Sequence, residues 1–292
     1  MKFTGKRYVY SLLRHVGLAL CMMLGGGWGA AHAQNLHPIP RICPNGVIVY
    51  EPSECPALPS IPGTSTTPTS TAGTWTQLPG AGKDIGAGAN GSVWVIGTNP
   101  VPGGFGIWRW TGSSWTETPG GAVRIDVGPD GNAWVVNSSG HIHGYNGAGW
   151  TLLPGAATDI GVGANGDVWV IGTNVVPGGF GIWRWTGSSW TEIPGGAVRI
   201  DVDPDGNAWV VNNSGTIFRY NGADWTSMPG AAKDIGVGYN GSVFVVGTDG
   251  GVYEWSESAW VKRDRGLAEI TVDAFGVPFG VNAVNQLWKG YE

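Results

Sequence analysis

Charge is what this chain has least of. Asp, Glu, Lys and Arg make up 13% of its 292 residues, about half the usual share. The formal sum is −5, which argues against a polyanionic partner such as nucleic acid, whose binding relies on clustered Lys and Arg. Helical periodicity is also missing. Glycine interrupts the apolar pattern every few residues, so helical solenoids are excluded. Long apolar runs are confined to Val16–Leu24, which is too short to span a bilayer stably; no later segment is long and apolar enough to be membrane-spanning. Cysteine is scarce, with three residues.

That short apolar run sits in a stretch with the layout of an export signal. Lys2, Lys6, Arg7 and Arg14 precede or flank it, and Ala31-His32-Ala33 supplies small residues for cleavage. Residues 1–33 are therefore expected to be a signal peptide, with delivery to the periplasm or the exterior as a secreted protein. Loss of its four cations takes the net charge from −5 to −9. Leu20, where a small residue would be needed, argues against a lipoprotein reading of Cys21. Cys43 and Cys55 flank Pro44-Asn45-Gly46 and, in an oxidising compartment, are expected to form a disulfide closing a small loop over 34–56. A metal site there would need two ligands beyond the thiolates, and only His37 is near. Residues 57–73 are rich in Pro, Ser and Thr and read as a linker to the remainder, 74–292.

What the sequence has in excess is glycine (52) and tryptophan (17), and both recur with a period. Trp75, Trp115, Trp150, Trp190, Trp225 and Trp260 are spaced by 40, 35, 40, 35 and 35 residues. Periods of this length mark repeat architectures whose units bury apolar faces against one another. Each unit opens on its Trp, reaches a Pro-Gly as in Leu78-Pro79-Gly80, and continues into an alternating strand such as Asp159-Ile160-Gly161-Val162-Gly163. An Asn-Gly or Asp-Gly pair follows (Asn90-Gly91, Asp130-Gly131, Asn165-Gly166), read as a two-residue hairpin turn with positive φ at both positions. Then come Val-Trp-Val-Ile or Ala-Trp-Val-Val and a last strand such as Ile182-Trp183-Arg184-Trp185. Four strands in each of six units predict an all-β fold, a six-bladed β-propeller. The isolated opening strand, Thr74–Leu78, is expected to complete a last blade that supplies only three strands of its own, so that no edge is left free.

Two positions indicate how the blades pack. Trp94, Trp134, Trp169, Trp209, Phe244 and Phe279 recur on one strand and are expected to lie in the core, each over a neighbouring blade's small-residue face. The first residue of the inner strand is Asp84, Arg124, Asp159, Arg199, Asp234 and Glu269, so exposed ion pairs are expected around one mouth of the channel. Asp234, Glu269 and Asp84 form an acidic sector, read as solvated carboxylates beside Lys83 and Lys233 rather than as a cation site.

The opening Trp, the Pro-Gly, the Asp-Ile-Gly-Val-Gly-x-Asn-Gly segment and the Val-Trp-Val strand, repeated from residue 75 to 292, resemble tectonin repeats. That family includes the fish-egg lectins. The resemblance implies a six-bladed propeller closed by an N-terminal outer strand, and a non-catalytic, multivalent binder of glycans or lipopolysaccharide. Some members are intracellular scaffolds, so a protein partner is the alternative.

Candidate ligand positions follow from chemistry rather than from a family motif. Sugars stack C–H faces on aromatics while polar groups bond their hydroxyls. Two insertions, Asn99–Phe105 and Asn174–Phe180, each lead into Trp-Arg-Trp, which makes Phe105, Trp108, Arg109, Trp110, Phe180, Trp183, Arg184 and Trp185 the candidate carbohydrate-binding residues. Residues 99–137 and 174–212 are nearly identical, so two equivalent sites with a gain in avidity are expected, or a duplication without functional meaning. Asp201-Val202-Asp203-Pro204-Asp205-Gly206 resembles the start of a calcium loop, but Asn212 stands where a Glu ligand is needed, so a hairpin turn is expected and no metal. Pro-Asp-Gly-Asn-Ala-Trp segments also occur in lyase-like propeller enzymes. Catalysis would need a centre unique to one blade, and the paired His141 and His143 have no matching acid in the sequence. No cofactor and no enzymatic activity are expected.

Overall fold

The structure, a computed structural model, describes residues 41–42, 48–49, 74–88 and 90–291. It divides into two units, Met1–Thr66 and Thr67–Glu292. In the first, β1 (Arg41–Ile42) and β2 (Ile48–Val49) pair antiparallel in the register Arg41↔Val49 and Ile42↔Ile48, on either side of the Pro-Asn-Gly segment. The expected signal peptide, the Cys43–Cys55 disulfide and the 57–73 linker lie outside the described residues.

Among its described residues the second unit is all-β, built from antiparallel sheets. It opens on β3 (Thr76–Ala81), which pairs with none of the strands that follow it directly. Next comes a four-stranded sheet, β4 (Asp84–Ala87), β5 (Val93–Val101), β6 (Gly104–Trp110) and β7 (Trp115–Ala122), each strand paired with the next. A second four-stranded sheet repeats the order in β8 (Arg124–Val127), β9 (Ala133–Val136), β10 (Ile142–Tyr145) and β11 (Trp150–Leu152). A third contains β12 (Ala157–Val162), β13 (Val168–Val176), β14 (Gly179–Trp185) and β15 (Trp190–Ala197). β16 (Arg199–Val202), β17 (Ala208–Val211) and β18 (Thr216–Tyr220) then lead into the 13-residue β19 (Trp225–Val237). The first half of β19 is the outer strand for β18, and its second half is the inner strand for β20 (Val243–Gly247), β21 (Gly251–Ser256) and β22 (Ala259–Gly266), giving a seven-stranded sheet. The chain ends in β23 (Glu269–Val272), β24 (Pro278–Val281) and β25 (Gln286–Lys289). The fourth strand of that sheet is β3, in the register Leu287↔Leu78 and Trp288↔Gln77. The inner strands β4, β8, β12, β16, β19 and β23 each touch the next, and β23 touches β4.

The turn chemistry differs from the two-residue hairpins expected. At Gly128–Asn132 the Gly131 N–H donates to the Gly128 carbonyl at 2.9 Å, and Gly128 N–H donates to Asn132 at 2.9 Å. Gly131 has φ 79°, while Asp130 is not among the positive-φ residues. These are three-residue loops, a tight turn followed by one left-handed glycine that forms a bulge. The Asp130 carboxylate instead accepts the N–H of Asn132 at 3.0 Å, which pins the loop.

The repeated opening tryptophans have a shared partner. The indole N–H groups of Trp115, Trp150, Trp190, Trp225 and Trp260 donate at 2.7 Å to the carbonyls of Pro79, Pro119, Pro154, Pro194 and Pro229. Each bond joins the outer strand of one sheet to the Pro-Gly of the preceding outer strand, which is why the two motifs travel together.

Packing between sheets follows the expected aromatic core, but with the glycine face placed differently. Gly86 pairs across with Trp94, Gly161 with Trp169, and Gly236 with Phe244, so the glycine stands beside the aromatic on the same face. Trp94, 1% exposed, is covered by Ile125, Val127, Ala133 and Val135 of the next sheet. The apolar face thus receives the aromatic. The glycine admits backbone: a Cβ on Gly86 would lie 2.8 Å from Asp126 Cα.

Candidate functional site

Alternation along β6 and β14 separates the eight candidate residues between two faces. Phe105 packs with Trp94 and Ile125, under the Lys83 ammonium at 4.5 Å. The Arg109 guanidinium lies over Trp94 at 5.5 Å and donates to Ser92 Oγ at 3.4 Å. In β14, Phe180 packs with Trp169, Arg184 lies over Trp169 at 5.6 Å, and Arg184 pairs with Asp167 at 2.9 Å. The two phenylalanines serve the contact with the following sheet, whereas the two arginines lie over core tryptophans of their own sheet. Trp110 and Trp185 point the other way and lean on the outer tryptophans, Trp115 at 4.8 Å and Trp190 at 4.9 Å between ring centroids. The structure therefore does not gather each Phe-Trp-Arg-Trp set into one site.

Of the eight, Arg109 is exposed outside the grooves, while Trp108 and Trp183 stand at groove walls. Each is half-buried and lines a groove between its own sheet and the preceding one. The first groove, about 420 Å³, is bounded by Gly80, Leu287, Asn99, Trp108, Trp115 and Glu117. The second, also about 420 Å³, is bounded by Gly155, Ile142, Asn174, Trp183, Trp190 and Glu192. Trp108 donates its indole N–H to Asn99 Oδ1 at 3.2 Å, and Trp183 does the same to Asn174 at 3.2 Å. The inserted loops thus hold the aromatic plate in place through an asparagine. Asn174 in turn donates to Glu192 at 3.5 Å.

A third groove, about 360 Å³, went unread in the sequence. Gly230, Ile217, Asp249, Tyr253 and Trp260 bound it. Tyr253 stands where the other grooves have Trp108 and Trp183, and its hydroxyl donates to Asp249 at 2.8 Å, beside Lys262 Nζ at 3.1 Å. The Gly251 N–H, the Tyr253 hydroxyl and the Lys262 ammonium hold the Asp249 carboxyl down at about 2. The signal was the alignment of Gly251-Val252-Tyr253-Glu254-Trp255 with Gly181-Ile182-Trp183-Arg184-Trp185, hidden by the missing insertion. In all three grooves an aromatic plate stands beside amide or carboxylate oxygens, an arrangement able to stack a sugar face and bond its hydroxyls.

The chain matches the Tectonin domain over residues 61–145, 121–216 and 196–290. It belongs to the tectonin family. No curated protein matches it. Among solved structures, this tectonin is similar to YCF48 bound to D1 peptide, with a TM-score of 0.52, 15% identity, and coverage of 80% of this chain and 100% of that one. A gluconolactonase from Xanthomonas campestris gives a TM-score of 0.57, 12% identity, and coverage of 75% and 90%. A structural-genomics protein of unknown function from Bacteroides thetaiotaomicron gives 0.55, 10% identity, and coverage of 74% and 70%. At these identities the likeness is one of fold, and the fold is propeller-like.

In this tectonin the inner-strand aspartates are buried rather than solvated, which corrects the sequence expectation. Asp84 and Asp234 are 8% and 6% exposed. Arg124 reaches Asp84 at 3.9 Å, Asp159 at 3.6 Å and Glu269 at 3.4 Å, while Arg199 reaches Asp234 at 3.3 Å and Glu269 at 3.7 Å. The carboxylates also accept backbone N–H groups of the next inner strand: Ile125 to Asp84 at 2.8 Å, Ile200 to Asp159 at 3.0 Å, Ile270 to Asp234 at 2.7 Å. Asp126 and Asp201 take Val162 and Val237 in the same way, at 2.6 Å. Burial is the largest influence on all of them and pushes Asp84 to about 7 and Asp126 to about 8, against Arg124 for the first and two backbone N–H bonds for the second. The acidic sector is thus a structural seam that stitches inner strands together.

The calcium-like segment is a turn. Asp203 Oδ1 accepts the N–H of Asp205 at 3.0 Å and of Asn207 at 2.8 Å, and Oδ2 pairs with Arg219 at 3.0 Å. Among the described residues no group of three or more His, Cys, Asp or Glu is placed to hold a metal ion. His141 and His143 lie edge to face at 6.5 Å, and burial lowers the His143 pKa.

Proposed function

We propose that this tectonin is an exported, multivalent carbohydrate-binding protein that recognises surface glycan or lipopolysaccharide without catalysis. The observation that carries the reading is the recurrence of one groove chemistry at Trp108, Trp183 and Tyr253, each backed by an outer tryptophan. Three weak sites on one rigid body gain avidity on a repetitive surface, as a scattered set of aromatics would not. We take the sheets to be six blades of a closed propeller, with β3 as the closing outer strand. The β3–β25 pairing and the contact of β23 with β4 support that closure. It would hold the three grooves at fixed mutual spacing. Among the described residues no helix is long and apolar enough to cross a membrane; the export signal is the basis for placing the protein in the periplasm or outside the cell.

Retention on glycan-bearing cell envelopes, followed by elution with free saccharides, tests the reading. Release by one or more saccharides is expected. Retention indifferent to every saccharide would overturn it in favour of an exported protein-interaction scaffold, a reading favoured by the peptide bound to the structurally similar YCF48.

A further inference from the structure

A fourth groove, about 700 Å³, lies between the two halves of the seven-stranded sheet, and it is built unlike the repeated ones. It sits at the opposite end of β20 from the Tyr253 groove, between the Asp203–Asn207 turn and the Asn240–Gly241 turn. Trp209, Trp255, Met228, Asp205 and Glu257 are on its wall.

Three observations single it out. The first is an unanswered donor. Trp209 is 4% exposed and its indole N–H has no partner among the described residues. Two of its three tryptophan counterparts, Trp94 and Trp169, donate to the carbonyls of Gly131 and Gly206, in the turn of the next sheet, at 3.0 and 3.2 Å. Gly241 holds the same position in the turn facing Trp209 and lines the groove, yet the bond is not made. A buried N–H left unpaired is costly, and a ligand oxygen would relieve it.

The second is a strained residue. Glu257 has φ 51°, a conformation that L side chains avoid. The same place in the aligned turns is held by Gly112, Gly147, Gly187 and Gly222, with φ 97°, 88°, 93° and 93°. A charged side chain has been put where four other units keep glycine, and it faces the groove.

The third is charge. Arg219 covers Trp209 at 5.4 Å and neutralises Asp203 at 3.0 Å, which leaves Asp205 and Glu257 as carboxylates on the wall with no ion-pair partner among the described residues. In the corresponding place between the β8 and β12 sheets the chain has Gly128, Gly144 and Gly187 instead of Asp203, Arg219 and Glu257. Among the described residues, the aligned turns at Gly112, Gly147, Gly187 and Gly222 likewise offer no carboxylate at this position.

We propose that this groove is a single-copy site for an oligosaccharide carrying free amino sugars. Its ring oxygen or hydroxyl would accept the Trp209 N–H, its C–H face would lie on Trp255, and its ammonium would sit between Asp205 and Glu257. A cavity of this volume suits a short oligosaccharide. The proposal rests on the carbohydrate-binding reading but uses none of the repeated grooves.

Calorimetric titration of the full exported chain with glucosamine trimer, N-acetylglucosamine trimer and galacturonic acid trimer tests it. Glucosamine trimer is expected to bind at one site per chain, at least tenfold more tightly than the acetylated trimer, with no binding of the anionic one. Glu257→Gly is expected to weaken binding at least tenfold while raising the melting temperature by ~1–4 °C, because the variant restores glycine to a left-handed position. Trp255→Ala should abolish binding, and Gly149→Ala, on a turn that lines none of these grooves, should leave it intact. Absence of glucosamine-trimer binding, equal binding of the acetylated trimer, or indifference to Glu257→Gly would overturn the proposal. If saccharide-releasable retention on envelopes persists while the glucosamine trimer fails to bind, this site alone falls; if both fail, the carbohydrate-binding reading falls with it.

Discussion

The Tyr239 hydroxyl donates to the carbonyl of Val127 at 2.5 Å and lies 3.2 Å from that of Val162. Tyr239 belongs to the turn after β19, while Val127 and Val162 end β8 and β12, inner strands of two other sheets. Corresponding turn positions hold Pro129, Ala164, Pro204 and Ala274, none of which could make this bond. One hydroxyl therefore ties together inner strands that are far apart in sequence. Burial is the chief cause of the raised Tyr239 pKa, with Asp126 and Asp201 adding to it, so the phenol stays a donor at every physiological pH. Tyr239→Phe removes the donor and leaves carbonyls unanswered, which should cost about 1–2 kcal/mol. Thermal and urea unfolding should show a lower midpoint with unchanged far-UV dichroism; an unchanged midpoint would mean that the bond contributes nothing.

Trp108 and Trp183 should report ligand directly. Saccharide binding is expected to quench tryptophan fluorescence, and Trp108→Ala/Trp183→Ala should abolish most of that quenching without loss of fold. Each side chain is half-buried and lines a groove, so truncation should leave the inter-sheet core in place. Quenching of undiminished amplitude in the double variant would remove these residues from the site.

Buried carboxylates give the stability a pH dependence opposite to the common one. Asp84 and Asp126 have folded-state values raised to about 7 and about 8, against 3.8 in the unfolded chain. Between these limits the folded state holds protons that the unfolded state has lost. Stability is then greatest at the acid end and declines as pH rises through that window. The urea midpoint should fall from pH 5 to pH 8, and Asp126→Asn should flatten part of the slope. A midpoint that rises over this range would contradict the assignment.

Gly86 should be among the least replaceable glycines, for a reason of space. A Cβ there meets Asp126 Cα at 2.8 Å, and neither backbone can retreat without opening the seam. Gly86→Ala should cost roughly 1–3 kcal/mol. Gly149→Ala is the control. Nothing lies within 4 Å of a Cβ at Gly149, so that change should be neutral or slightly stabilising. Equal effects of the two variants in urea unfolding would refute the close-approach account.

The grooves were half legible from residues alone. Trp108 and Trp183 were found because Trp-Arg-Trp recurs after a recognisable insertion, and the structure places both at groove walls. Their neighbours Phe105, Arg109, Phe180 and Arg184 looked equally suitable, but strand alternation sends them to the opposite face, where the phenylalanines pack against the next sheet and the arginines lie over tryptophans of their own sheet. Tyr253 escaped notice because it changes the aromatic and lacks the insertion. The dry, paired state of Asp84 and Asp234 was equally hidden, since the depth of a carboxylate depends on how closely neighbouring inner strands stack.

What the amino-acid order determined by itself was local and periodic: an all-β chain, the tectonin repeat, glycine where a turn must be left-handed, and an opening strand without a neighbour. Those follow from propensities and from a 35- to 40-residue repeat, both of which act within one unit. Only the tertiary structure decided which faces meet, which carboxylates lose their water, and where Tyr239 finds its carbonyl. Such facts depend on residues that stacking brings together from different sheets, and no single repeat contains both partners.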